Sequence, residues 1–149
     1  MIGLQRAIFL KLSGDDELLN LLGLAVGQES EISKRITPVP PVELSVENQP
    51  LIHFRFPQTY TSFRSRLMEI RPMQFRVWSA DPSLVVHQQI AERIKALFVG
   101  QVLKIADCQQ YSNPEYVGET QIVGQVNELY GWAVEMRIST RVTYFNSGG

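Results

Sequence analysis

Residues 73–100 carry the clearest local pattern of the chain, MQFRVWSADPSLVVHQQIAERIKALFVG. Every second residue from Met73 to Val77 is apolar, which predicts a strand with one buried face. A helix is expected to follow, because Asp81 can cap it and Pro82 suits its first position. The apolar stripe of this helix consists of Leu84, Ile90, Ala91, Ile94, Leu97 and Phe98, and Gly100 ends it as a left-handed residue. The stretch therefore predicts a strand joined by a short turn to an amphipathic helix.

Two shorter helices are predicted upstream of this unit. Residues 4–12 have apolar side chains at helical spacing. Asp15 and Asp16 offer a cap and first-turn negative charge to a second, leucine-rich helix. The polar residues 28–50 contain four prolines and predict a long loop, whose proline-rich part spans 37–50.

The other segments favour strands. Apolar residues alternate from Ile52 to Phe56, which predicts a strand with His53 on its polar face. Two more strands are expected at 101–107 and 120–126. The last strand has the most regular alternation, with Val134, Met136, Ile138, Val142 and Tyr144 on one face and Glu135, Arg137, Ser139, Arg141 and Thr143 on the other.

These elements predict a single α+β domain over residues 1–149. We expect a mostly antiparallel sheet of about four to five strands, with the helices packed on one face. Residues 57–72 predict an extended hairpin arm that protrudes from this sheet, and residues 146–149 predict a frayed tail.

Composition limits the function classes. The chain has 14 basic and 15 acidic residues, so its near-neutral total gives no general attraction to nucleic acid or anionic lipid. Cys108 is the only cysteine, which excludes an intrachain disulfide and a multi-cysteine metal site. No apolar run approaches the roughly 20 residues that span a bilayer. A protein without membrane contact, made in a reducing cytoplasm, is expected.

The sequence contains no recognisable catalytic motif. It has neither a glycine-rich phosphate-binding loop nor a G-x-S-x-G nucleophile elbow. A pairing of Cys108 with His53 or His87 would rest on chance alone. His87 lies on the apolar stripe of its helix, where a histidine satisfied by one hydrogen bond is the simpler interpretation. We therefore predict a protein that is not an enzyme and uses no cofactor or metal.

The segment from Arg55 to Arg76 has an unusual charge. Five arginines and one acid give it a local balance of +4, and aromatic residues are interleaved with them. Contact with another protein, a solvated basic face and binding of single-stranded nucleic acid all remain open interpretations. The rest of the chain sums to −5, so identical copies offer complementary acids, as a closed ring would need. The candidate interface residues are Tyr60, Phe63, Arg64, Arg66, Arg71, Arg137 and Arg141, of which Arg64, Arg66 and Arg71 are predicted to contact an adjacent subunit.

Three features in chain order resemble the tail terminator, or tail-completion, proteins of tailed bacteriophages. The opening run from Leu4 to Asp15 precedes a leucine cluster, and the junction from Gln74 to Asp81 joins a Val-Trp-Ser strand end to a helix. The final long strand, with alternating Arg137 and Arg141, is also in keeping. The proline-rich 37–50 stretch and the 57–72 arm depart from the usual pattern of that family.

This resemblance implies a structural virion protein of the tail or neck, assembled in the host cytoplasm. Such a protein forms a ring, a homohexamer in the family, at the head-proximal end of the tail tube. The ring stops tube growth and joins the tail to neck or connector proteins, while DNA passes through the lumen without specific binding. The alternatives are another head–tail connector or stopper protein, and a small nucleic-acid-binding module that uses the Arg55–Arg76 strip.

Overall fold

The computed structural model describes residues 2–25, 27–38, 47, 49–57, 60–61, 68–105 and 112–141. Within these ranges the chain forms four helices and six strands. Their bounds are α1 Ile2–Ser13, α2 Asp16–Leu21, α3 Glu29–Arg35, β1 Ile36–Thr37, β2 Leu51–Arg55, β3 Tyr60–Thr61, β4 Met68–Ser79, α4 Val85–Phe98, β5 Glu115–Val126 and β6 Leu129–Arg141.

The strands form one sheet in the order β1-β2-β4-β6-β5, and β3 pairs separately with β4. β1 runs parallel to β2, whereas the other pairs are antiparallel. The long β4–β6 pair occupies the centre, and β1 and β5 lie at the two edges. The predicted α+β class and mostly antiparallel sheet are therefore confirmed, and the parallel β1 pair makes the sheet mixed.

The core lies between one face of the sheet and the helices. The pairing places Phe54 beside Phe75 and Phe75 beside Val134, so the buried side chains of three strands share one face. The Phe75 ring also packs against Phe98 of α4, with ring centroids 5.2 Å apart. The remaining core residues from the helices include Leu4, Ile8, Leu12, Leu18, Leu19, Leu22, Ile90 and Ile94. The helices thus cover a single face of the sheet, as predicted.

Polar contacts fix how α2 meets α4. The Leu18 backbone N–H donates to Asp15 Oδ2 at 2.8 Å, which confirms Asp15 as the cap of α2. Arg93 of α4 donates to both oxygens of the same carboxylate at 2.8 and 2.7 Å. Arg93, together with the Leu18 N–H, outweighs the effect of burial and lowers the pKa of the Asp15 carboxyl group. One side chain therefore both starts α2 and ties it to α4.

The start of α4 differs from the prediction. Leu84 has φ +64° and the helix begins at Val85, three residues after the predicted first position. The reason is that Asp81 first closes a turn, with its Oδ1 accepting from the Ser83 N–H and hydroxyl. Asp81 Oδ2 then accepts from the Val86 N–H at 3.1 Å, so Asp81 still caps the helix. These bonds, that from Ser83 first, lower the pKa of Asp81 to about 2.

Two predicted loop and strand assignments are wrong. Residues 29–37, expected within the 28–50 loop, form α3 and β1. α3 is favoured by acids in its first turn and bases in its last turn, which suit the helix dipole, and by the burial of Ile32. The prolines come after residue 37, so they do not interrupt this helix. Residues 101–105 form no strand, although Leu103 is buried and Ile105 packs against the core, because they pair with no described neighbouring strand.

The predicted 57–72 arm is shorter than expected. Residues 68–72 belong to β4 and pair with β6 from Arg137 to Arg141. Tyr60 and Thr61 pair with Ile70 and Glu69, so the two ends of the segment do approach as a hairpin. Residues 62–67 lie outside the described part of the chain, as do Cys108 and the predicted tail at 146–149.

Candidate assembly surfaces

Arg71 is held within its own subunit. Its Nε donates to Thr140 Oγ1 of β6 at 2.7 Å, and its guanidinium pairs with Glu69 at 2.6 Å. Both charged side chains are largely buried, because Arg71 lies opposite Ile138 on the helix-covered face. Arg71 therefore has little exposed surface for an adjacent subunit, and the contact predicted for it stays a prediction.

Of the other predicted interface residues, the structure describes the Arg137 side chain and the backbone of Tyr60 and Arg141. The Arg137 side chain is half-exposed and pairs with Glu115 of β5 at 3.1 Å, so it joins two strands of the same sheet. Tyr60 is placed by its backbone in β3. The side chains of Tyr60 and Arg141, and the whole of Phe63, Arg64 and Arg66, lie outside what the structure describes.

The sheet face away from the helices carries a small basic cluster. His53 of β2 lies directly opposite Arg76 of β4, with Arg55 two residues further along β2. Burial, followed by the charges of Arg76 and Arg55, lowers the pKa of His53 to about 4. The imidazole is therefore neutral at pH 7, and its Nε2 has no hydrogen-bond partner among the described residues.

His53 thus lies on the predicted face of β2 but in a different environment. It was expected on a polar face with a hydrogen bond to a neighbour, whereas it is only 5% exposed. The physical reason is the apolar cluster of Leu51, Trp78 and Leu129 at this end of the same face. A side chain at Gly131 would lie 2.8 Å from Trp78, so the glycine lets the Trp78 ring pack flat on the sheet.

A polar network anchors β5 to α4. Glu119 accepts from Lys95 Nζ at 2.7 Å, from Trp132 Nε1 at 2.9 Å and from the Tyr116 hydroxyl at 3.1 Å. Burial opposes ionisation of both charged groups, but the hydrogen bonds outweigh it. The pKa of Lys95 is therefore raised to about 12 and that of Glu119 is lowered. This network, rather than a packed apolar face, holds β5 on its helix side.

The outer edge of β5 is the most exposed long element of the described chain. Register shifts between Tyr116 and Gly118 and between Ile122 and Gln125 mark two bulges. The extra residues include Val117 and Val123, and the Val123 side chain is 99% exposed. The sequence pattern did not predict this surface, because only the pairing of β5 with β6 reveals which valines point away from the core.

Metal-binding geometry is not evident in the described ranges. They contain no group of three or more His, Cys, Asp or Glu side chains placed to hold a metal ion. His87 is fully buried, and its Nε2–H donates to the Tyr130 carbonyl at 2.8 Å, which confirms the single hydrogen bond predicted for it. Among the described helices, none has the length and apolar character needed to cross a bilayer.

Comparison with known proteins gives a likeness of fold. No family model matches the sequence, and no curated protein matches it. Among solved structures, the chain is similar to a chain in the virion of a native gene transfer agent (GTA) particle, with a TM-score of 0.66. The likeness covers 94% of this chain and 96% of that chain at 12% sequence identity. The protein therefore has, over nearly its whole length, the fold of a chain found in a virion.

Proposed function

We propose that this protein is a structural virion component that acts as a tail terminator. In this role it forms a ring at the head-proximal end of the tail tube, and the resemblance implies six subunits. The ring stops addition of tube protein, joins the tail to a neck protein and leaves a lumen for DNA. The protein performs no catalytic step and needs no cofactor.

The observation that carries this proposal is the near-complete overlap with a virion chain. Both chains are covered almost end to end, so the match concerns a whole domain and not one common motif. The sequence features that resemble tail terminators lie within that same domain, from the Leu4 helix to the last strand. Together they favour an assembly role over a pocket that transforms a molecule.

Capping of tube growth is the direct test. We expect that adding this protein to polymerising tube protein at low molar ratio shortens the tubes, and that negative-stain images show a ring at one end. A heat-unfolded sample of the same protein is the control. Tubes of unchanged length and bare ends would contradict the terminator role. Binding to a purified neck protein without binding to tubes would instead favour the connector or stopper alternative.

The nucleic-acid alternative receives less support from the geometry than from the sequence. Of the five arginines of the Arg55–Arg76 strip, Arg71 is neutralised by Glu69, and Arg64 and Arg66 lie outside the described residues. Arg55 and Arg76 remain as neighbours on one sheet face. Binding of single-stranded DNA that falls steeply with salt and is lost in Arg55→Ala would revive this alternative.

A further inference from the structure

Two separate surfaces of the described chain expose aliphatic side chains. The first, which we name the β5 edge, is formed by Val123, Val126 and Glu128. The second, which we name the α1 groove, is formed by Ala7, Leu10, Lys11, Val102, Leu103 and Lys104. Contiguous exposed apolar groups with polar rims are typical of protein contacts.

The β5 edge is apolar with an acidic rim. Val123 is 99% exposed, and Glu128 follows it in the turn to β6 without an ion pair among the described residues. Glu115 and Glu119 of the same hairpin are already paired with basic residues, so Glu128 is the acid that this edge offers. Its two bulges interrupt the outward row of backbone groups, so this edge is suited to side-chain contacts rather than to addition of another strand.

The α1 groove has the opposite charge. Its cavity measures about 360 Å³, and Leu10 and Val102 are 55% and 70% exposed beside it. Lys11 and Lys104 form its rim, and neither has an ion pair within the described residues. α1 itself carries Arg6 and Lys11 and no acid. An aliphatic side chain with a nearby carboxylate therefore fits this groove in both shape and charge.

The two surfaces are also on different sides of the molecule. α1 packs against β1, and β1 lies at the edge of the sheet opposite β5. A contact between unlike surfaces of identical subunits is heterologous and can close into a ring. A contact between two β5 edges would instead be isologous and would bring their acids together.

We propose that the β5 edge of one subunit docks into the α1 groove of the next, with Val123 against Leu10 and Val102 and with Glu128 near Lys104. This inference rests on the proposed ring and names the contact that builds it. The occupant of the groove is thus a second copy of this chain.

Complementation between two variants tests the contact. Val123→Gln removes the apolar side chain from the β5 edge, and Leu10→Gln removes it from the α1 groove, without adding charge. We expect each variant alone to self-associate at least tenfold more weakly than the wild-type protein in analytical ultracentrifugation. A mixture of the two retains one intact contact and should form heterodimers and nothing larger. Val85→Gln, at an exposed valine outside both surfaces, is the matched control and should assemble like the wild type.

Cysteine cross-linking extends the test to weak association. In a Cys108→Ser background, the double variant Leu10→Cys with Val123→Cys should give a ladder of disulfide-linked oligomers under mild oxidation. The double variant Val85→Cys with Val123→Cys should give none. Absence of the ladder in the first variant, or equal association of Val123→Gln and the wild type, would overturn the proposal.

A charge exchange checks the rim. Glu128→Lys and Lys104→Glu should each weaken association, and their combination should restore most of it; failure of the combination overturns the proposed Glu128–Lys104 proximity. These outcomes are independent of the terminator role. Intact head-to-tail cross-links with no effect on tube length would count against the proposed function alone, whereas capped tubes without cross-links would count against this contact alone.

Discussion

β1 and β5 both end the sheet, but β1 is two residues long and β5 is twelve. α1 and α3 pack against β1, and its Ile36 is fully buried. Among the described strands β5 pairs with β6 alone, and most of its side chains are exposed. A short, covered edge protects a sheet against unwanted pairing, whereas a long, open edge remains available for contacts. Within the described residues, the chain therefore covers the edge formed by β1 and leaves most of β5 exposed.

Matched truncations at the two edges should give the largest contrast. Ile36→Ala leaves a cavity under β1, and we expect it to lower the free energy of unfolding by about 3 kcal/mol. Val123→Ala removes an aliphatic side chain that contacts little within its own subunit, so a change within about 0.5 kcal/mol is expected. Urea denaturation of monomeric protein measures both values. Equal losses at the two positions would show that the edges do not differ as described.

The pH dependence of the free energy of unfolding should report on the β1 side of the sheet, where His53 of β2 pairs with β1. Because the folded pKa of about 4 is below the unfolded value of 6.5, the unfolded state binds more protons between these values. Stability is therefore complete above pH 6.5 and falls as the pH is lowered toward 4. We expect a loss of roughly 1 to 2 kcal/mol between pH 7 and pH 5 by urea denaturation.

His53→Leu provides the control for this titration. The variant should show a nearly flat stability profile between pH 7 and pH 5, because carboxylates such as Asp15 begin to protonate only at lower pH. A wild-type slope that persists in His53→Leu would assign the effect to another group.

The polar anchor of β5 should give the smallest effect. Glu119→Gln removes the charge that accepts from Lys95, Trp132 and Tyr116, and we expect a loss of about 1 kcal/mol. Glu92→Gln, at the more exposed partner of Lys95, is the control and should change stability by less than about 0.5 kcal/mol. Similar losses in both variants would mean that β5 is not held by this network in particular.

Local signals in the sequence predicted the central part of the fold. The alternation of apolar residues in β2, β4 and β6 and the apolar stripe of α4 identified the core face. A strand or helix that is buried on one side has apolar residues at the repeat of that element. The loop predicted over α3 was wrong, because the prolines that follow this segment favoured a loop over a short helix. The prediction was also wrong at residues 101–105, where Leu103 and Ile105 alternate as in a strand but the backbone forms none.

The candidate surfaces were less predictable than the fold. The charge of the segment predicted a subunit contact for Arg71, which stays a prediction. Only the cross-strand pairing revealed that Arg71 is buried beside Glu69 and Thr140. The valines of the β5 edge gave no signal, since β5 has no simple alternation once its two bulges are included. Which residues face outward there follows from register with β6, and register is a property of the folded sheet.

The sequence by itself determined the class of the fold, the cap at Asp15 and the buried stripe of α4. These depend on residues near each other along the chain, where spacing alone dictates which side chains share a face. Tertiary structure decided the parallel β1 edge, the neutral buried state of His53 and the separation of the β5 edge from the α1 groove. Those features depend on contacts between residues that are distant in the chain. Such contacts form only when folding packs the residues together.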